Sequence, residues 1–164
     1  MREKVYNGLF ICSQNSARSI MAEGMLNSLG RGRFVAYSGG SHPAGQVNPY
    51  ALTTLARMHI PTDGYRSKDW EEFARPGAAE MDFVFTVCDK AAGEVCPVWP
   101  GQPMTAHWGV PDPAAFHGTE EEQARRFWDS AVILKRRIEL MLALPLASLD
   151  RLAIQREIKD IGTR

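Results

Sequence analysis

Eight consecutive residues, Cys12-Ser13-Gln14-Asn15-Ser16-Ala17-Arg18-Ser19, set a thiol near one end of a short polar run and a guanidinium near the other. Five residues between the cysteine and the arginine are enough for the chain to curl until successive backbone N–H groups converge on one point. A helix starting immediately behind would add the positive end of its dipole. The ligand selected by such a nest is a tetrahedral oxyanion: phosphate, sulfate or arsenate. The amides of Ser13, Gln14, Asn15, Ser16 and Ala17 would hold it, and Arg18 would grip two of its oxygens with a planar fork that lysine lacks. Aligned amides, a helix N-terminus and the Ser19 hydroxyl all favour a thiolate, so the chemistry expected of Cys12 is nucleophilic attack on the bound anion. Asn15 belongs to a residue type that tolerates left-handed backbone and can hold the curl. The competing reading, a buried strand-end cysteine beside a solvated arginine, loses ground when a strand leads into the run and a helix leaves it.

Two further groups have chemical potential. Cys88 and Cys96 are separated by seven residues in a loop containing Gly and Ala. A disulfide needs Cα atoms within about 7 Å, so this loop would have to fold or rearrange to join them. The alternative is that both are inert small hydrophobes. Asp112 lies between Pro111 and Pro113, and flanking prolines stiffen the segment that would hold one carboxyl in place. That placement suits a general acid, and equally an ordinary turn aspartate. Asp82 and Asp89 read as loop charges. His42, His59, His107 and His117 lack metal-ligand spacing and read as structural or surface residues.

Parallel strands would bring these groups to one edge. Leu9, Phe10 and Ile11 run into Cys12, and Ile20, Met21, Gly24, Met25 and Leu29 recur at helical spacing up to Gly30. A second strand is predicted over Phe34 to Ser38, then a helix opened by Asn48-Pro49. Ser67 is the predicted cap of a short helix through Trp70 and Phe73. A third strand is predicted over Met81 to Val87, leading into Cys88, and a shorter one around Met104 to His107. Thr119 to Glu122 has capping-box form and opens a long amphipathic helix ending near Pro145. Ser148 is the predicted cap of a last helix that stops at Gly162. Alternating strands and helices imply a parallel sheet covered on both faces, with ligands at the carboxyl ends of its strands.

The chain has 164 residues, 45% of them apolar, which suits one α/β domain spanning residues 1–164: three layers around a mainly four-stranded parallel sheet. Nineteen basic residues balance 19 acidic ones, so no overall charge draws it to nucleic acid or an anionic membrane. No apolar run is long enough to span a bilayer. Three cysteines suit reduced thiols rather than a secreted disulfide framework, and the expectation is an unprocessed, soluble, cytoplasmic protein.

With these residues in view, the sequence resembles the low-molecular-weight protein-tyrosine-phosphatase superfamily, and within it the thioredoxin-coupled arsenate reductases. The stretches that carry the resemblance are LFICSQNSARSIMAE, YSGG, VNPYAL, FVFTVCDKAAGEVCP and HWGVPDPA. The family commonly has Gly where Gln14 stands and often a second loop cysteine where Ala17 stands, so Gln14 adds a side chain at the site entrance. The resemblance implies that Cys12 attacks arsenate, that Asp112 protonates the leaving oxygen, and that Cys88 and then Cys96 relay electrons to a thioredoxin- or glutaredoxin-type reductant. It also implies a cation site under the loop, potassium in some members, at Asn15, Glu23, Ser38, Ser67 and Asp69; no other cofactor is required. Two alternatives stay open. One is phosphomonoester hydrolysis through a phosphocysteine, against which stands the lack of a tyrosine pair beside the acid, since Pro113-Ala-Ala-Phe116 comes next in the chain. The other is a non-catalytic oxyanion-binding or redox-sensing module.

Overall fold

Leu9, Phe10 and Ile11 are completely buried because β1 (Tyr6–Ile11) is an inner strand of the sheet. The structure is a computed structural model that describes residues 4–93 and 97–164. Four parallel strands lie in the order β2 (Phe34–Gly39), β1, β3 (Phe83–Thr86), β4 (Met104–His107). The chain leaves β1 for β2 on one side and later enters β3 on the other. The carboxyl end of β1 is therefore the switch point at which open parallel sheets form a crevice.

Both faces of the sheet are covered. On one, α1 (Arg18–Leu29) packs so closely that a Cβ on Gly8 would touch Leu26. Packed aromatics fill the same face: the Phe10 ring centre lies 5.2 Å from that of Phe85, and Phe85 lies 4.0 Å from Trp108. Outside them are α2 (Pro49–Arg57), α4 (Glu120–Leu142) and α5 (Arg151–Ile161). The opposite face is closed by a short 3-10 helix, Trp70–Phe73, with Phe73 against Tyr37 and Trp70 against Trp99. A four-residue α3 (Asp89–Ala92) succeeds β3. No helix of the described residues is long and apolar enough to cross a membrane.

The signals at helix starts divide into two groups. Asn48 caps α2 with Pro49 behind it, and Thr119 and Glu122 form the reciprocal capping box of α4. Two predicted caps are corrected. Asp69 rather than Ser67 caps the 3-10 helix, and Asp150 rather than Ser148 caps α5. In both cases a carboxylate two residues later meets the positive helix end, and Ser148 closes a 3-10 turn instead. The third strand is shorter than the predicted Met81 to Val87, although Met81, Asp82 and Val87 still donate backbone hydrogen bonds.

Trp108 anchors the segment after β4. It is fully buried, and its indole N–H donates to the Ile158 carbonyl at 2.9 Å. Trp108→Ala is expected to destabilise the fold by about 3–5 kcal/mol, the usual range for removing a large core aromatic, and a urea titration monitored by circular dichroism measures it.

Candidate active site

Cys12 is the first residue beyond β1, and the carbonyls of the loop help set the path of the chain past it. The Ser13, Gln14 and Ser16 carbonyls accept from the N–H groups of His42, Ala44 and Asn48 at 2.8, 3.0 and 2.9 Å. The Ser67 hydroxyl also donates to the Gln14 carbonyl at 3.0 Å. With its carbonyls drawn outward, the loop turns its amides the other way. Among the described residues, the N–H groups of Gln14, Asn15, Ser16 and Ala17 have no protein acceptor. Asn15 has φ 49°, the left-handed turn a nest needs. Gly40 makes the approach of the 41–48 segment feasible, since a Cβ there would lie 2.6 Å from the Ser13 carbonyl oxygen.

The loop borders a pocket of about 270 Å³ lined by Cys12, Ser13, Gln14, Ser16, Ala17, Arg18, Lys90, Asp112 and Ala114. That volume is just below the roughly 300–1,000 Å³ of drug-sized ligand sites, and polar groups converge on it. Cys12 is only 3% exposed, yet it lines this pocket. Its sulfur lies 3.0 Å from the Ser19 hydroxyl, which in turn accepts from the Asn15 side-chain amide at 2.8 Å. With that N–H on its oxygen, the Ser19 hydroxyl still has its one proton to offer to a Cys12 thiolate.

Arg18 is the first residue of α1. One guanidinium nitrogen donates to the Val110 carbonyl at 3.0 Å, and another lies 3.6 Å from Asp112 Oδ2. The acid-bearing segment is stapled along its length. Arg137 donates to the Gly109 carbonyl at 3.0 Å and Ser130 to the Pro111 carbonyl at 3.2 Å. Asp112 divides its carboxylate: Oδ1 caps the turn Pro113–Ala115 by accepting from the Ala114 N–H at 3.0 Å, leaving Oδ2 toward Arg18 and the pocket. One oxygen thus serves the turn, and the other is beside Arg18.

Cys88 ends up beside the oxyanion loop because β1 and β3 are adjacent and parallel. Its buried sulfur accepts from the Ser13 N–H at 3.3 Å and, as the cap of α3, from the Ala91 N–H at 3.4 Å. Cys12 and Cys88 are both free thiols, while Cys96 lies outside the described residues. Asp89 and His107 bond each other at 2.8 Å, and His107 also meets Thr86 at 2.7 Å. Asp82 accepts from the Asn7 N–H and pairs with Lys4. Among the described residues no cluster of His, Cys, Asp and Glu could hold a metal ion.

Two lysines carry no signal in the sequence that marks them for the site. Lys90, on α3, puts a second positive charge at the pocket. Lys68 is 8% exposed and sends its ammonium beneath the loop. There it donates to Asn15 Oδ1 at 3.4 Å, Ser38 Oγ at 3.1 Å and the Arg66 carbonyl at 3.0 Å, and lies 3.7 Å from Glu23 Oε1. Burial raises the pKa of Glu23 against the pull of Lys68 and the Ser38 hydroxyl, and burial lowers that of Lys68 against the pull of Glu23. Of the five positions expected around a cation, Asn15, Glu23 and Ser38 converge here. Ser67 bonds the Gln14 carbonyl instead, and Asp69 caps its helix through Oδ1.

Known proteins share this arrangement of sheet and loop. Arsenate reductases of Halalkalibacterium halodurans and Bacillus subtilis are 36% and 35% identical over 114 residues, 70% of this chain and 78% of each relative. A solved arsenate reductase in the phosphate binding state matches with a TM-score of 0.70 at 27% identity, covering 85% of this chain and 98% of that one. The sequence pattern described as low molecular weight phosphotyrosine protein phosphatase matches residues 7–151, from the first strand into the last helix. The span of that match takes in the Cys12–Arg18 loop, Cys88 and Asp112 alike, and the chain belongs to the low molecular weight phosphotyrosine protein phosphatase family.

Proposed function

We propose that this chain reduces arsenate to arsenite by a thiol relay. The observation that carries the reading is the place of Cys88: its sulfur accepts from the N–H of Ser13, the residue next to the nucleophile. A second thiol at the rim of an oxyanion nest has no task in phosphate ester hydrolysis, and in arsenate reduction it supplies electrons. The Cys12 thiolate attacks arsenic(V), forming a sulfur–arsenic bond as water leaves with a proton from Asp112. The Cys88 thiolate then attacks the Cys12 sulfur. The sulfur–arsenic bond breaks, its electron pair stays on arsenic, and arsenite departs as a Cys12–Cys88 disulfide forms. Cys96 next attacks Cys88, releasing Cys12, and the resulting Cys88–Cys96 disulfide is reduced by a thioredoxin-type dithiol. The arsenate reductases among its relatives support the chemistry. A relay that begins and ends with free thiols belongs in a reducing compartment, here the cytoplasm.

The deciding assay measures arsenite formation with thioredoxin and its reductase against glutaredoxin with glutathione. Multiple turnovers with thioredoxin are expected. If arsenite appears with neither, while p-nitrophenyl phosphate is hydrolysed, the chain is a phosphatase. Phosphomonoester hydrolysis is the second reading, favoured by one observation: Asp112 lines the same pocket as Cys12. Asp112→Asn keeps a side-chain oxygen for the Ala114 cap but carries no proton for a leaving alkoxide. It is expected to lower p-nitrophenyl phosphate turnover by roughly 10²–10⁴-fold with the melting temperature little changed.

A further inference from the structure

We propose that the ammonium group of Lys68 is a built-in cation under the oxyanion loop: it occupies the place a potassium ion would take and orients the hydrogen bonds that reach Cys12. The inference rests on the oxyanion-site reading and extends it to a positioning residue.

Every atom that faces Lys68 Nζ is an acceptor. The Asn15 amide oxygen and the Arg66 carbonyl can only accept. The Ser38 hydroxyl donates to Glu23, so it presents a lone pair to the lysine. The Glu23 carboxylate lies on the same centre. Four oxygens from four separate stretches of chain converge on one point, as they would around a hard monovalent cation. An ammonium is a three-donor cation similar in size to potassium, so with Lys68 present no room is left for the ion. Of the other two positions a potassium site would draw on, Ser67 donates to the Gln14 carbonyl and Asp69 caps its helix through Oδ1. The residues therefore do not fit bound potassium, and the lysine explains why.

The consequence reaches the nucleophile. Asn15 Oδ1 accepts from both the Lys68 backbone N–H, at 3.0 Å, and the Lys68 ammonium. Two donors on that side settle which end of the amide is oxygen, so the Asn15 NH₂ must face Ser19. Ser19 in turn lies 3.0 Å from the Cys12 sulfur, where its hydroxyl hydrogen is available to a thiolate. Lys68, Asn15 and Ser19 form one ordered chain, buried throughout. Removing the charge leaves Asn15 Oδ1 with the Lys68 backbone N–H alone, and so loosens the left-handed residue that shapes the nest.

The test compares wild type, Lys68→Ala and Lys68→Met in potassium chloride and in choline chloride at equal ionic strength. Two readouts are taken, the melting temperature and the affinity for inorganic phosphate. Wild type is expected to respond equally to both salts. Lys68→Ala leaves a cavity ringed by oxygens; in choline it should bind phosphate weaker by on the order of tenfold, and potassium should restore binding and raise its melting temperature. Lys68→Met fills the space without charge and should be weak in both salts. Potassium-specific stabilisation of wild type would overturn the proposal, and so would a Lys68→Ala protein that potassium does not rescue or that binds phosphate normally in choline. Should Lys68→Ala fail to fold in either salt, the wild-type comparison still decides. If wild type binds no phosphate at all, the oxyanion reading falls, and the melting data still judge the lysine.

Discussion

Cys88→Ser is expected to end multiple-turnover arsenate reduction while leaving p-nitrophenyl phosphate hydrolysis within about twofold of wild type, far less than any removed catalytic group would cost. Serine is the informative replacement. Cys88 caps α3 by accepting from the Ala91 N–H, and serine is among the best residues for that task, so the fold and the oxyanion loop should survive. What is lost is a sulfur able to attack the Cys12–arsenic adduct. The loss in steady-state rate should be on the order of 10³-fold or more, as for other covalent nucleophiles. A single-turnover experiment sharpens the result: arsenate should still consume the Cys12 thiol, without release of arsenite. If both activities fell together, Cys88 would be serving the shape of the nest through its bond from Ser13, and the relay would lose its second member. Wild-type turnover in Cys88→Ser would end the reading outright.

Why the loop is legible in the sequence and the lysine beneath it is not is a matter of range. Cys12, Arg18 and the start of α1 are contiguous, so spacing alone expresses their geometry, and the last four residues of β1 before them have the continuous burial that Leu9, Phe10 and Ile11 announce. Cys88 needs only the parallel order of strands to be placed. Long-range partners leave no such trace. That the carbonyls of Ser13, Gln14 and Ser16 are claimed by residues 42, 44 and 48 depends on Gly40 lying against the loop, and one glycine of a Gly-Gly pair does not say what it touches. Lys68 is harder still. It is flanked by Ser67 and Asp69, the two residues a cation site would use, and lysine is ordinarily a surface residue. Only the pairing of Gly40 with the backbone around Lys68 and Asp69 turns its long side chain inward. The caps at Asp69 and Asp150 escape prediction for a local reason: a serine two residues earlier competes for the same role, and sequence does not rank hydroxyl against carboxylate without the entry angle of the chain.

Arg18→Lys should show how much of the site's grip is geometry rather than charge. The guanidinium has two attachments already, one to the Val110 carbonyl and one beside Asp112. It can keep the first while presenting its remaining N–H groups to the anion, because five donors lie in one rigid plane. A lysine ammonium in the same place retains the positive charge but has a single nitrogen. It can stay with Val110 or move to the oxyanion, and the Asp112 segment loses an anchor whenever it moves. Two losses are then expected together. Phosphate, measured as a competitive inhibitor, should bind at least about tenfold more weakly, the difference between a bidentate and a point contact. kcat/KM should fall by roughly 10²–10³-fold, the typical cost of removing one preorganised donor from a developing oxyanion. The second effect should exceed the first, because the acid is displaced only when the anion is bound and reacting. Unchanged phosphate affinity would mean that the amides of residues 14–17 hold the anion by themselves, and Arg18 would then be a strut for the Val110 loop.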